Sequence, residues 1–301
     1  MENKKKIFVI IVNWNGWKDT LVCLDSLAKV KKQNIILDTI IVDNGSTNES
    51  VSEIRKKFPK VTLLEAGKNL GFTGGNNFGI RYALKHGADF VWLLNNDTYV
   101  DPDALSFIRA FDDPSVGIAG SKIYFAPDHE FHHDRYKTSE RGKVIWYAGG
   151  LVDWANMYAS HRGVDEVDRG QYDKTIETPF VTGCSLVIRR EVIDKIGFLD
   201  DKYYLYLEDL DYCLRAKQAG YKLLYVPSSV LWHVNAGSSG RPGNPLHEYY
   251  LTRNRLLLGL RYAPIRTKFA LLREALRFTS PVRKKAVRDF LFCRFGNRFS
   301  L

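Results

Sequence analysis

A chain of 301 residues, 45% hydrophobic and 26% charged, has room for one large globular domain or two small ones. It holds no run of ~18 apolar residues, which argues against a membrane span. Its four cysteines (Cys23, Cys184, Cys213, Cys293) fit no zinc spacing and read as reduced thiols of a cytoplasmic protein. The net charge of +10 is lodged at one end: positions 253–298 carry 13 Lys/Arg against Glu274 and Asp289, and the rest is near neutral. Such an end suits an anionic membrane surface, a polyanion or a phosphorylated ligand, or it is a solvated helical face.

The apolar run Ile7–Val12 predicts a first strand, too short for a secretory signal and without a small-residue cleavage site. Asn13–Gly16 is a turn, and Leu21, Leu24 and Leu27 give Asp19–Lys29 helical periodicity. Ile35–Val42 is a second strand, ended by Asp43-Asn44-Gly45-Ser46; Ser46 or Thr47 is the expected cap of a helix through Val51, Ile54 and Phe58. Val61–Glu65 is a third strand. The segment Asn69–Asn77, rich in Gly and Asn, opens a helix through Phe78, Ile80, Tyr82 and Leu84. Phe90–Leu94 is a continuous apolar strand that ends in Asn95-Asn96-Asp97. This alternation of strand and helix predicts a parallel, nucleotide-binding sheet over the first ~100 residues.

Four polar groups (Trp14/Asn15, Asp43/Asn44, Asn69 and Asn95/Asn96/Asp97) each follow a strand, so parallel strands would line them along one sheet edge as a ligand cleft. Trp14 offers a face for a base, Asp43 an acceptor for base N–H or ribose hydroxyl, and the helix start near Gly71, Gly74 and Gly75 free N–H groups for phosphate. The glycines match neither a phosphate-binding loop ending in Gly-Lys-Ser/Thr nor a spaced dinucleotide fingerprint. Asp97 reads either as a cation-binding carboxylate or as a cap near the helix start at 101–105; the stretch alone leaves both open.

From Asp112 to Thr182 the pattern is irregular. Val116–Ile123 is a strand, Asp128–Arg141 is polar with His129, His132 and His133 in no metal-binding periodicity, and Lys143–Trp154 reads as a hairpin turning at Gly149-Gly150. His161–Asp173 is a polar loop and a candidate acceptor-recognition surface. Phe180–Ile188 is a strand, followed by a helix from Glu191 to Gly197. Glu208, Asp209 and Asp211 then open a helix to Gly220; acids there complement the helix dipole, and one desolvated by the preceding aromatics would be a competent base. Tyr221–Val226 is a strand, Val230–His233 follows, and 235–240 is a flexible Gly/Ser segment. His247–Leu260 is helical and includes Arg253; the last ~40 residues are basic and amphipathic, with no repeat.

The ordered set Ile-Val-Asn-Trp-Asn-Gly, Val-Asp-Asn-Gly-Ser-Thr, Asn-Leu-Gly-Phe-Thr-Gly-Gly-Asn-Asn, Leu-Asn-Asn-Asp, Thr-Gly-Cys-Ser-Leu-Val-Ile-Arg-Arg-Glu, Tyr-Leu-Glu-Asp-Leu-Asp and Leu-Trp-His resembles family 2 glycosyltransferases, most of all their rhamnosyltransferase-like branch, over residues ~7 to ~255. The resemblance implies a GT-A fold: an α/β architecture with a Rossmann-like nucleotide-binding half, a mixed central sheet and C-terminal helices. It divides the chain into 1–245, about 1–110 for the nucleotide sugar and 111–245 for acceptor and catalysis, and a basic helical tail at 246–301. By position it implies nucleotide-sugar contacts at Val12, Trp14, Asp43, Asn69, Gly75, Asn95 and Asn96, a Mg²⁺ or Mn²⁺ site at Asp97 and His233, and the catalytic base at Asp209. Acceptor contacts are expected at Glu208, Asp211 and Arg253. Asn95 stands where the family's metal motif has its first Asp, so a metal would lean more on diphosphate oxygens.

The implied reaction is an inverting transfer from a dTDP- or UDP-linked sugar, with rhamnose the first guess, to a glycan or lipid-linked acceptor in surface-polysaccharide synthesis. The expected place is the cytoplasm, peripheral on the inner membrane face through the tail. A sugar-nucleotide nucleotidyltransferase would carry a basic Gly-rich loop where Asn13–Gly16 stands; a non-catalytic nucleotide-sugar binder draws support only from Asn95. Nucleic acid is not an expected partner, because the tail's aromatics are Phe at helical spacing.

Overall fold

A computed structural model describes residues 4–234 and 243–299; the 235–240 segment expected to be flexible lies outside the described residues. The first four strands are β1 (Lys5–Asn13), β2 (Ile35–Asp43), β3 (Thr62–Glu65) and β4 (Phe90–Leu94), and they pair with one another in parallel. Helices α1 (Trp17–Leu27), α2 (Ser50–Lys57) and α3 (Gly71–Lys85) connect them. Runs such as Ile7–Ile11 and Val91–Leu94 are buried on both faces, which is why they read as unbroken apolar stretches rather than alternating ones. Trp92 is fully buried; its indole donates to Ser185 Oγ at 3.0 Å and packs edge-on to Phe107 at 5.1 Å.

Beyond β4 the sheet becomes mixed. A short β5 (Thr98–Val100), a 3-10 helix (Ala104–Asp112) and β6 (Val116–Phe125) lead to β7 (Ile145–Tyr147), β8 (Gly150–Asp153), β9 (Tyr158–His161) and β10 (Ile176–Glu177). They are followed by β11 (Ser185–Arg189), α4 (Arg190–Ile196), α5 (Glu208–Gln218) and β12 (Lys222–His233). The main order is β10-β12-β6-β11-β4-β1-β2-β3, with β5 on β12 and β7 on β6. β11 runs antiparallel between β4 and β6, so its N-terminal turn and the C-terminal ends of β1, β2 and β4 share one edge. β12 is parallel to β6, and β5 folds back on its end to pair His233 with Thr98.

Several expected boundaries shift. Residues 180–182 are irregular and 183–184 a turn rather than strand, and β12 continues through Pro227 with a bulge between Val226 and Val230. The bend between β7 and β8 lies at Ala148-Gly149, and Gly150 already opens β8. The hairpin β8–β9 turns instead at 154–157, where Asp153 Oδ1 accepts from the N–H of Ala155 (2.9 Å) and Asn156 (3.1 Å). Helix α2 starts at Ser50, whose N–H donates to Asn48 Oδ1 at 3.1 Å, so neither Ser46 nor Thr47 caps it.

The C-terminal part forms α6 (Pro245–Tyr262), α7 (Ile265–Ala275) and α8 (Pro281–Leu291). Asn244 caps α6 by accepting from His247 N at 2.8 Å, with Pro245 in the first turn. Among the described residues no helix is long and apolar enough to cross a membrane.

Candidate active site

A cavity of about 700 Å³ opens at the shared strand edge. Val12, Trp14, Asn69, Asn95, Asn96, Asp97, Glu208, Asp209 and His233 line it, so four strand ends and the start of α5 converge as the alternation required. Trp14 keeps 41% of its surface exposed, which leaves a ring face for stacking. Asp43 and Gly75 stand behind the wall. The Asp43 carboxylate is buried; Oδ1 accepts from Asn13 Nδ2 and Oδ2 from Ser46 N, both at 3.0 Å. A Cβ on Gly75 would lie 2.9 Å from Val12 Cγ1, so this glycine lets α3 close on β1. Asn44, the neighbour of Asp43 in the polar group expected at the end of β2, is on the wall instead; its side chain spans Leu70 N (2.9 Å) and Gly71 O (3.0 Å).

Two readings need correction. Asp211 does not face the cavity. It is fully buried and accepts from Tyr203 Oη (3.1 Å), Tyr262 Oη (2.9 Å), Arg261 Nη1 (3.0 Å) and Arg215 Nε (2.9 Å). Arg253 is equally buried and spends its guanidinium on the carbonyls of Lys202, Tyr203 and Gly296 at 2.8–2.9 Å. Both hold the fold, because a buried charge must be paired and neither has an open face left for an acceptor. The α3 start is also less free than expected: Gly71 N donates to Asn69 Oδ1 (2.8 Å) and Thr73 N to Tyr204 O (3.2 Å).

Asp97 Oδ1 and His233 Nε2 are 3.2 Å apart, set there by the β5–β12 pairing. Adjacent ligands of an octahedral cation at 2.0–2.1 Å are separated by roughly 3 Å, so the pair fits two positions of such a site. Among the described residues no cluster of three or more His, Cys, Asp or Glu could hold a metal ion. A two-ligand protein site completed by phosphate oxygens is the usual arrangement for Mg²⁺.

Asp209 Oδ2 accepts from Gly183 N and Oδ1 from Leu210 N, each at 2.8 Å. Burial raises its pKa, against the pull of these N–H groups. Burial also drives Glu208 well above the usual carboxylate range, aided by the Asp209 charge, and its Oε2 is buried without a protein partner. Of the pair, Glu208 is the one burial favours in its protonated form, while two backbone N–H donors favour the anion at Asp209. The approach to this turn is strained: Tyr204, Tyr206 and Leu207 have φ of 64°, 70° and 68°. Asn254 Nδ2 on α6 donates to the carbonyls of Tyr203 (3.0 Å), Leu205 (2.8 Å) and Tyr206 (2.9 Å), and with Arg253 it clamps the loop. Sequence reasoning missed Trp146, Phe180, Tyr250 and Phe299 on the wall, where His161, the first residue of the expected acceptor loop, joins them; Trp146 packs on His233 with centroids 4.5 Å apart.

The family model described as "Glycosyltransferase like family 2" matches residues 5–255. An N-acetylglucosaminyl-diphospho-decaprenol L-rhamnosyltransferase of Mycobacterium tuberculosis is 26% identical over 217 residues, 68% of this chain and 69% of its own length. The dTDP-rhamnosyl transferase RfbF of Shigella flexneri is 23% identical over 264 residues, 84% and 79%. Against the Sinorhizobium fredii protein y4gI, 28% identical, the chain spans only 22% of the relative's length. Among solved structures, the Pyrobaculum calidifontis mannosyltransferase PcManGT, in complex with GDP-Man and Mn²⁺, matches with a TM-score of 0.57 at 17% identity, covering 100% of this chain and 77% of that one. GalNAc-T7 with UDP, GalNAc and Mn²⁺ gives 0.61 at 16%, covering 97% and 57%. These neighbours share the GT-A fold, with its central mixed sheet.

Proposed function

The chain belongs to the glycosyltransferase-like family 2, and from that premise we propose that it is an inverting, divalent-metal-dependent transferase. It moves a sugar from a nucleoside diphosphate to a hydroxyl of a glycan or lipid-linked acceptor. dTDP-rhamnose is the first donor to test, with UDP-hexoses behind it, because two relatives carry rhamnosyl transfer in their names. One observation carries the reading: a carboxylate primed as a base, Asp209, lines the same cavity as the Asp97–His233 pair.

Trp14 stacks the base, and Asn69, Asn95 and Asn96 border the nucleotide. Asp97 Oδ1 and His233 Nε2 would hold Mg²⁺ or Mn²⁺, which when bound neutralises charge growing on the leaving diphosphate. Asp209 accepts the acceptor's hydroxyl proton while that oxygen attacks the anomeric carbon from the face opposite the diphosphate. The bond to the diphosphate breaks in the same displacement, and configuration inverts. The nucleotide side of the cleft comes from residues up to about 110. The acceptor side comes from 111–245 with help from the tail, whose Leu246, Tyr250 and Phe299 also line the cavity.

We also propose that α7 rests on an anionic membrane, where lipid-linked acceptors are presented. Ile265, Phe269 and Leu276 are 66%, 68% and 84% exposed along one stripe, while Thr267, Leu271 and Ala275 are buried on the other. Arg266, Lys268, Arg273 and Arg277 flank that stripe. The test of the function is a thermal-shift series with dTDP, UDP and GDP with and without Mn²⁺, then a transfer assay with the matching sugar. Stabilisation by one nucleotide, stronger with Mn²⁺, and sugar transfer are expected. No nucleotide response, or pyrophosphate release instead of transfer, removes the reading.

A further inference from the structure

His161 is a cavity-lining side chain that the transfer step does not use. It ends β9, and its Nδ1 lies 3.0 Å from the backbone carbonyl oxygen of Trp146. A carbonyl only accepts, so Nδ1 carries the proton, and Nε2 of the neutral ring is a bare lone pair. No protein group among the described residues pairs with Nε2, and the ring borders the cavity. The imidazole is fixed by Trp146, Tyr147 and Phe180, with ring centroids 4.3, 5.1 and 6.2 Å away. The same Trp146 indole packs on His233, so His161 stands one aromatic ring from the place proposed for the diphosphate. Burial pushes its pKa down to about 4, which keeps the ring neutral at physiological pH.

A neutral acceptor in this position has a restricted choice of partner. Ionised phosphate oxygens bring no hydrogen and would be repelled by the lone pair. A carbohydrate hydroxyl both reaches such a place and donates. We infer that His161 Nε2 accepts a hydrogen bond from a sugar hydroxyl at the reaction centre, on the transferred sugar or on the acceptor's terminal sugar, and that this contact sets sugar specificity. The inference rests on the glycosyltransferase reading and adds a recognition residue to it.

The test compares wild type with H161N, whose amide can still donate to the Trp146 carbonyl but offers nothing at the Nε2 position, and with H161F. Calorimetry with Mn²⁺ measures affinity for dTDP and dTDP-rhamnose, and for UDP and UDP-glucose; initial rates give KM and kcat for an N-acetylglucosaminyl-diphospholipid acceptor. A loss of about tenfold in nucleotide-sugar affinity, with bare nucleotide unchanged, assigns the hydroxyl to the donor. A rise of about tenfold in acceptor KM, with kcat and donor affinity held, assigns it to the acceptor. If neither moves, or bare nucleotide weakens in equal measure, His161 only packs and the inference is overturned. Wild type that binds neither nucleotide defeats the transferase reading itself, and the inference with it. Should both variants lose their thermal transition, monodeoxy sugars on the wild type answer instead: one deoxy position must stand out by about tenfold, and uniform response overturns the inference.

Discussion

Replacing Asp209 with Asn tests the proposed base most directly. The carboxylate takes one N–H on each oxygen, from Gly183 and Leu210, both at 2.8 Å. Asn has a single oxygen, so its NH₂ must confront one of those N–H groups. One hydrogen bond is lost and two donors meet, which costs about 1–3 kcal/mol of stability. Loss of general-base catalysis separately lowers turnover by roughly 10²–10⁴, or about 3–5 kcal/mol of barrier. Donor affinity should stay near wild type, because the proposed nucleotide contacts come from other elements, at the ends of β1, β3 and β4. Single-turnover transfer at saturating donor, corrected for folded fraction, separates the effects. Burial raises the Asp209 pKa, and a base works deprotonated, so the acid limb of wild-type kcat/KM should fall as pH drops through a value above the ordinary aspartate ~3.9. That limb should vanish from the variant's residual rate. Turnover within tenfold of wild type, or donor binding that falls as far as turnover, would refute the assignment.

Three more changes have separable readouts. Asp97→Ala should abolish the Mn²⁺ dependence of dTDP affinity while metal-free binding persists; titrations with the same metal enhancement as wild type would take Asp97 out of the site. Asp211→Asn strips the charge from a node shared by Arg215 and Arg261, which are 22% and 29% exposed at the side chain. Their partial solvation puts the cost near the low end for a broken buried pair, about 3 kcal/mol, read as a lower denaturant midpoint; a normal midpoint with a raised acceptor KM would restore the acceptor role denied here. Phe269→Glu with Leu276→Glu should abolish co-sedimentation with vesicles containing anionic lipid and leave transfer to a water-soluble acceptor intact, whereas unchanged sedimentation would release α7 from that role.

The first half of the sheet was legible because buried parallel strands need continuous apolar side chains, and Ile7–Val12 and Phe90–Leu94 have them. The polar residues that stop those strands were equally plain, since parallel strands end at one edge. The pairing of Asp97 with His233 was named from resemblance, but its cause, β5 folding back on β12, left no local mark in three residues. Trp146 escaped notice because it sits in a strand of three residues within an irregular stretch, and His161 was marked only as the start of a polar loop when it ends a strand of four. The Gly149-Gly150 signal was real chemistry misread: Gly149 has φ of 112° at a bend, while Asp153 makes the actual turn. Asp211 and Arg253 misled for a different reason. A charge that will be satisfied by side chains or carbonyls ~50 residues away looks, in sequence, the same as one awaiting a ligand.

The clamp on the 203–206 backbone binds two parts of the molecule that composition had separated. Arg253 and Asn254 belong to the basic helical end, and the peptide groups they grip lead straight into the turn that presents the base. A displacement of α6 would carry with it the backbone carbonyls of Tyr203, Leu205 and Tyr206, and so the turn that leads into Asp209. A chain cut before Arg253 would keep Asp97, Glu208 and Asp209 and lose the contacts that hold the loop leading to Glu208.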